Sequence, residues 1–318
     1  RTAALLGQPG LAPYLWMVPL GVFLASAYNA LQYWASRKKR FGLVTRTRMT
    51  RAVGGIGAQT GIGAVNPSPF GLIFGHMLYG GLGVIGLVRD LWQQDRATLR
   101  QVGGARMVGQ ASEYRRFPIW SVPEALFNTA GLQLPVILIA AAAAGPEAGF
   151  LMLAMRVMGL PMTLVGRSLS QVFLAEAPEK LRDGTLPTFT RRTMWALFKT
   201  GAPVLIAVGV ISPIAFPLVF GAEWARAGWL VAWMTPWFVL QFVASPVSMV
   251  LHVTGRQRTA MVLQGFGLVL RIGPVLAVES IAPERISEVN AVTGAVFYAA
   301  FLGVVFWVIE KLDRTQNA

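Results

Sequence analysis

The chain has 318 residues, of which 54% are hydrophobic and only 13% charged, against roughly 25% charged in soluble domains. A single water-facing fold of this size cannot hide so much apolar surface, which excludes an ordinary soluble globular protein, and a mean hydropathy of +0.54 agrees. The absence of cysteine excludes disulfide scaffolds, thiolate metal sites and cysteine nucleophiles, while the meaning of the +14 net charge depends on where the cations lie.

In chain order, stretches long and apolar enough to cross a bilayer as helices of about 20 residues fall at 11–34, 43–65, 70–88, 117–143, 150–175, 194–216, 225–253, 259–278 and 289–310. That is nine predicted transmembrane helices. The second is the weakest by hydropathy, since Arg46, Arg48 and Arg51 crowd its start and five glycines thin its middle. The connections vote for it. They alternate between basic and nearly neutral: seven Lys/Arg from Arg37 to Arg51, six from Arg89 to Arg116, four from Lys180 to Arg192, then Arg256 with Arg258 and Lys311 with Arg314. Only Arg1, Arg226 and Arg285 occupy the intervening connections. This is the positive-inside pattern, and it predicts a multi-pass membrane protein with residue 1 outside and the C-terminus in the cytoplasm. It also accounts for the cations without nucleic acid, because they sit in short loops facing anionic lipid heads.

The longest polar connection, 93–116, divides the chain into a partial N-terminal lobe of three spans (1–92), a cytoplasmic linker and a C-terminal lobe of six spans (117–318). The stretch 178–192, with Gly184 and Pro187, reads as a cytoplasmic loop. An odd number of spans starting outside predicts further chain upstream.

Charges inside spans are costly, about 2.5–3.5 kcal/mol each on insertion scales, and so mark candidate sites. Arg156 and Arg167 lie eleven residues apart in one predicted span, which on a continuous helix leaves them about 20° from alignment and about 16 Å apart along the axis. Such a face would grip phosphate at two depths; the alternative is that each arginine snorkels to its nearer interface. Glu124 sits at a depth similar to that of Arg167 on the neighbouring antiparallel span, so a Glu124–Arg167 pair fits, as a structural bond or a proton-coupling one. Arg271 is a third candidate cation, with snorkelling as a strong competitor near the outer end of its span. Trp229, Trp233 and Trp237 repeat at four-residue spacing and predict a lipid-facing or interfacial ridge. No phosphate-binding loop, metal-spaced cluster or nucleophilic triad is present, so the reading is of a non-enzyme needing no cofactor and no metal.

An ordered series of short runs then carries a resemblance. It begins at Tyr114-Arg115-Arg116-Phe117-Pro118 and passes through Leu132-Gln133-Leu134-Pro135, Gly145-Pro146-Glu147-Ala148-Gly149, Leu153-Ala154-Met155-Arg156-Val157 and Gly159-Leu160-Pro161. Ser170-Gln171-Val172-Phe173, Phe220-Gly221-Ala222-Glu223-Trp224 and Ser245-Pro246 follow. Together they resemble the Wzx-like polysaccharide flippases of the multidrug/oligosaccharidyl-lipid/polysaccharide exporter superfamily. The resemblance implies a twelve-helix, two-lobe transporter, of which the nine spans correspond to the last nine. It also implies an inner-membrane location and a lipid-linked oligosaccharide as substrate, for which the in-span charges Arg156, Arg167, Arg271 and Glu124 are the candidate binding residues, with membrane lipids and glycan-assembly proteins as partners. A drug or cation exporter of the same superfamily is the alternative, and a membrane-embedded glycan polymerase or ligase a more distant one.

Overall fold

The computed structural model describes residues 13–65, 69–100, 102–142, 146–162, 166–279 and 281–316. Among them there is no strand. The protein is all-α and polytopic: six helical stretches, 70–94, 118–142, 186–220, 222–253, 257–279 and 283–315, are long and apolar enough to span a membrane. The remaining three predicted spans are helical too. Those at 11–34 and 43–65 form helices of 21 and 25 residues, diluted by polar and basic side chains. The one at 150–175 falls on two shorter helices with residues 163–165 between them outside the described set.

The chain divides into two compact units, Arg1–Gln110 and Ala111–Ala318. Unit 1 holds α1 (Met17–Arg37), α2 (Phe41–Val65) and α3 (Pro69–Gln94), with α3 packed against both others. The short helices α4 (Arg96–Arg100) and α5 (Gly104–Glu113) follow, so the stretch read as a polar linker is largely helical. Tyr28 is the centre of this unit. Its ring is buried where Gly83 leaves no side chain, its hydroxyl lies 3.2 Å from the Thr47 hydroxyl, and the Arg51 guanidinium stacks 3.7 Å from the ring centre.

At one end of unit 1, Arg40 pairs with Asp90 at 2.6 Å and Asp95 at 2.8 Å, and the Trp34 indole N–H donates to Asp95 at 3.1 Å. The Arg40 hydrogen bond, then that of Trp34, hold the Asp95 carboxyl below the usual carboxylate range. A carboxyl depressed in this way stabilises the fold above its ordinary pKa of about 3.9, and that contribution is lost as the pH falls through the lower folded value. Acid titration followed by tryptophan fluorescence should show the environment of Trp34 change below the ordinary carboxylate range. Asp95→Asn should already show that change at neutral pH.

Unit 2 contains α6 (Arg116–Ala142), α7 (Glu147–Pro161), α8 (Arg167–Arg182), α9 (Leu186–Phe220), α10 (Ala225–Val247), α11 (Met249–Val253), α12 (Gln257–Glu279) and α13 (Ile286–Gln316). The stretch expected to be a loop at 178–192 is helix except for residues 183–185. The helix α10 is the hub: its span is 67% buried, and it packs against α7, α8, α9 and α13. Lipid supplies no hydrophobic drive between helices, so close approach rests on small residues. Gly201 faces the Phe242 ring, Gly209 faces Thr235, and Gly228 faces the Ser212 carbonyl, each so close that a Cβ would collide. The Ser212 hydroxyl bonds across this crossing to the Gly228 carbonyl at 2.9 Å.

Three helix-to-helix turns close by one geometry, with a left-handed residue and a reversed hydrogen bond from the residue after it. Arg40 N–H returns to the Ala35 carbonyl with Lys39 at φ 58°, Thr185 to Lys180 with Gly184 at φ 70°, and Arg256 to Leu251 with Gly255 at φ 71°. Lysine at the first of these bears the Cβ strain that glycine avoids at the other two.

Candidate functional site

The conspicuous polar feature of unit 2 is Arg271, near the middle of α12 and only 1% exposed. Three glycines shape its surroundings. Gly267, one turn earlier on α12, gives room to the Phe297 ring of α13, while Gly294 on α13 gives room to the Trp237 indole of α10. On α6, a Cβ at Gly131 would sit 3.2 Å from Arg271 Nη1, so the missing side chain lets the guanidinium lie against that helix. The result is an aromatic cage: the guanidinium carbon is 4.3 Å from the Phe297 ring centre, 5.2 Å from Tyr298 and 5.7 Å from Trp237.

Ring faces attract a cation without neutralising it. Among the described residues no carboxylate lies within ion-pair distance of Arg271, and its Nε and Nη2 have no hydrogen-bond partner. Trp237 Nε1 is also without one. Every unused polar atom on Arg271 and Trp237 is therefore a donor, an arrangement suited to the oxygens of an anion. The snorkelling outcome for Arg271 is corrected by this burial. The side chain is enclosed by four helices and does not reach the interface, because the glycines open a pocket for it inside the bundle.

The other charges in unit 2 are neutralised or stand apart. Arg226, at the start of α10, makes two bonds to Glu147 of α7 at 3.0 and 3.2 Å and a further one to Glu288 of α13, tying three helix ends together. Glu124, half-buried on α6, meets His252 Nε2 of α11 at 3.0 Å. The side chain of Arg167 lies outside the described residues, and so does the Glu124–Arg167 pair. Arg156 is exposed on α7, and Arg167 is the first residue of α8; the stretch between these two helices includes 163–165, so the alignment of the two arginines along one helix lies outside the described residues as well. No ion pair or hydrogen bond joins Glu124, Arg156 and Arg271 to one another among the described residues.

Sequence reading missed two features. His252 is 128 positions from Glu124 and nothing local marks the pairing. The tryptophan ridge also divides: Trp229 and Trp233 are 57% and 50% exposed, but Trp237 is in the core. Each step of four residues turns a helix by about 40° beyond a full revolution, so the third ring has rotated onto the buried face. A signal for the cage did exist, in Gly267 one turn from Arg271 and Gly294 one turn from Phe297 and Tyr298.

A family model described as polysaccharide biosynthesis protein matches residues 2–228, well over half of the chain. Neither a curated protein nor a solved structure matches it.

Proposed function

The chain belongs to the family of polysaccharide biosynthesis proteins, and from that premise we propose that it is a flippase carrying a polyprenyl-diphosphate-linked oligosaccharide across the bacterial inner membrane by alternating access. The observation that carries this reading is the guanidinium of Arg271, buried inside a bundle of membrane-spanning helices with the Tyr298 hydroxyl beside it but no carboxylate partner among the described residues. A charge kept at such depth without a counter-ion is costly unless it serves something that brings the opposite charge. A diphosphate does so, and guanidinium binds it through paired N–H donors. In the state described here the cage is closed, and the cycle of access exposes its donors to the cargo. Arg156, exposed on α7, and Arg167, at the start of α8, extend the cationic route. The excess of basic residues on alternate connections supports placing those connections and the C-terminus in the cytoplasm.

A cation exporter would need free carboxylates in these positions. Instead Glu124 is engaged by His252, and Glu147 and Glu288 by Arg226. Proteoliposomes of the full chain loaded with a fluorescent lipid-linked oligosaccharide test the proposal. The expected result is movement of the diphosphate-linked cargo between leaflets and none of an organic cation dye; the reverse overturns it. The double variant Arg156→Gln/Arg167→Gln is expected to insert normally and to lose glycan transport by at least about tenfold, the smallest effect of removing a charged hydrogen bond. Unchanged transport would remove both arginines from the route.

A further inference from the structure

Unit 1 has a cationic groove of its own, about 620 Å³ in volume, between α2 and α3. Arg46 and Thr50 come from α2, Arg89 and Gln93 from α3, and Leu82 and Ile85 continue the wall of α3 below them. The α3 members recur every three or four residues and so share one face. A carboxylate, Asp90, also borders the groove, but it is already occupied, by Arg40 at 2.6 Å and by the Gln94 amide at 2.7 Å. Arg46 and Arg89 are both exposed, and among the described residues neither has a carboxylate within ion-pair distance. The groove therefore offers two uncommitted guanidinium groups, and its one carboxylate is already paired.

Its depth identifies the partner. Arg89 and Gln93 lie at the end of the span that closes at Gln94, at the level where hydrocarbon gives way to headgroups. Ile85, 74% exposed, and Leu82 lie one to two turns further into the apolar layer. Trp92 and Phe41 are exposed at the same end of the helices, as aromatic residues are at a membrane boundary. A ligand that fits is negative at the top and a hydrocarbon chain below.

We propose that this groove binds an anionic phospholipid, its phosphate between Arg46 and Arg89 with the Gln93 amide beside it, and one acyl chain along Ile85 and Leu82. The site belongs to unit 1 alone and stands whatever the chain transports. It differs from a general attraction of basic loops to the membrane, because the two arginines line one pocket while Arg48, also exposed on α2, is not among the residues that line it.

The test uses the full chain in nanodiscs of phosphatidylcholine containing phosphatidylglycerol, with retained lipid read by native mass spectrometry. The parent protein is expected to retain phosphatidylglycerol in preference to phosphatidylcholine. Arg46→Gln/Arg89→Gln should weaken that retention by about fivefold per arginine, the usual value of a basic side chain at an anionic surface, while Arg48→Gln retains it. Ile85→Glu leaves both arginines in place on an exposed site and should weaken retention as well, which guards against misfolding of the double variant. The proposal is overturned if the parent shows no preference for phosphatidylglycerol, if Arg48→Gln loses as much as the pair, or if Ile85→Glu changes nothing. It is also overturned if polyprenyl diphosphate displaces phosphatidylglycerol at equal concentration, since the groove would then belong to the carried lipid.

Discussion

Arg271→Met should leave the protein as stable as its parent, or slightly more so, and stop the proposed transport. The two halves of this expectation have separate causes. Removing a buried guanidinium that has no counter-ion relieves an insertion cost of about 2.5–3.5 kcal/mol. It forfeits attraction to ring faces, worth about 2 kcal/mol at the nearest, Phe297 at 4.3 Å, and little at Tyr298 and Trp237, whose 5.2 and 5.7 Å approach the limit of the interaction. The terms nearly cancel, and methionine fills the space with an adaptable apolar chain. The proposed transport does not share in the cancellation: losing charged hydrogen bonds worth about 1.5–3 kcal/mol to the proposed diphosphate cargo would lower the rate about 10- to 150-fold. Thermal unfolding in detergent together with the proteoliposome assay separates the two. Arg271→Lys should recover part of the activity, since it restores the charge without the planar fork. Parent-like transport by Arg271→Met would make the cage a packing device and nothing more.

The second large effect is structural. Gly228→Ala is expected to destabilise unit 2 by about 1–3 kcal/mol, because the new methyl meets the Ser212 carbonyl, a backbone group that cannot turn aside. Gly273→Ala on α12 has nothing within 4 Å of its new Cβ and should stabilise by about 0.4–1 kcal/mol, by restricting the unfolded chain. Both are glycine-to-alanine changes inside membrane helices, so propensity alone predicts the same sign for each. Opposite shifts in melting temperature would show that approach of the helices, and not helix formation, fixes stability here.

The class of the protein was legible because composition and helix-length apolar runs are local properties. So were most of the spans, and their boundaries moved mainly where helices continue past the apolar layer, as α9 does back to Leu186. What could not be read locally was partnership. Arg271 and Arg226 look alike in sequence, each a single arginine set in or against an apolar run. One is clasped by two carboxylates from other helices and the other is enclosed by rings, and the difference is made by Glu147, Glu288, Trp237 and Phe297, all distant in the chain. Trp237 shows the same limit in reverse. Its spacing from Trp229 and Trp233 promised one ridge, but Gly294, more than fifty positions away, provides the notch that takes it inside.

The tight reversals at Lys39, Gly184 and Gly255 have a mechanical consequence. A connection of three residues held by its own returning hydrogen bonds has no slack, so the arms it joins cannot slide past one another at that end. Each of the three pairs must tilt as a single lever. Flexing within a lever is left to positions where proline has removed a backbone donor, such as Pro213 and Pro217 in α9 or Pro274 in α12. Any rearrangement of these three helix pairs would therefore pivot at their turns and bend at their prolines.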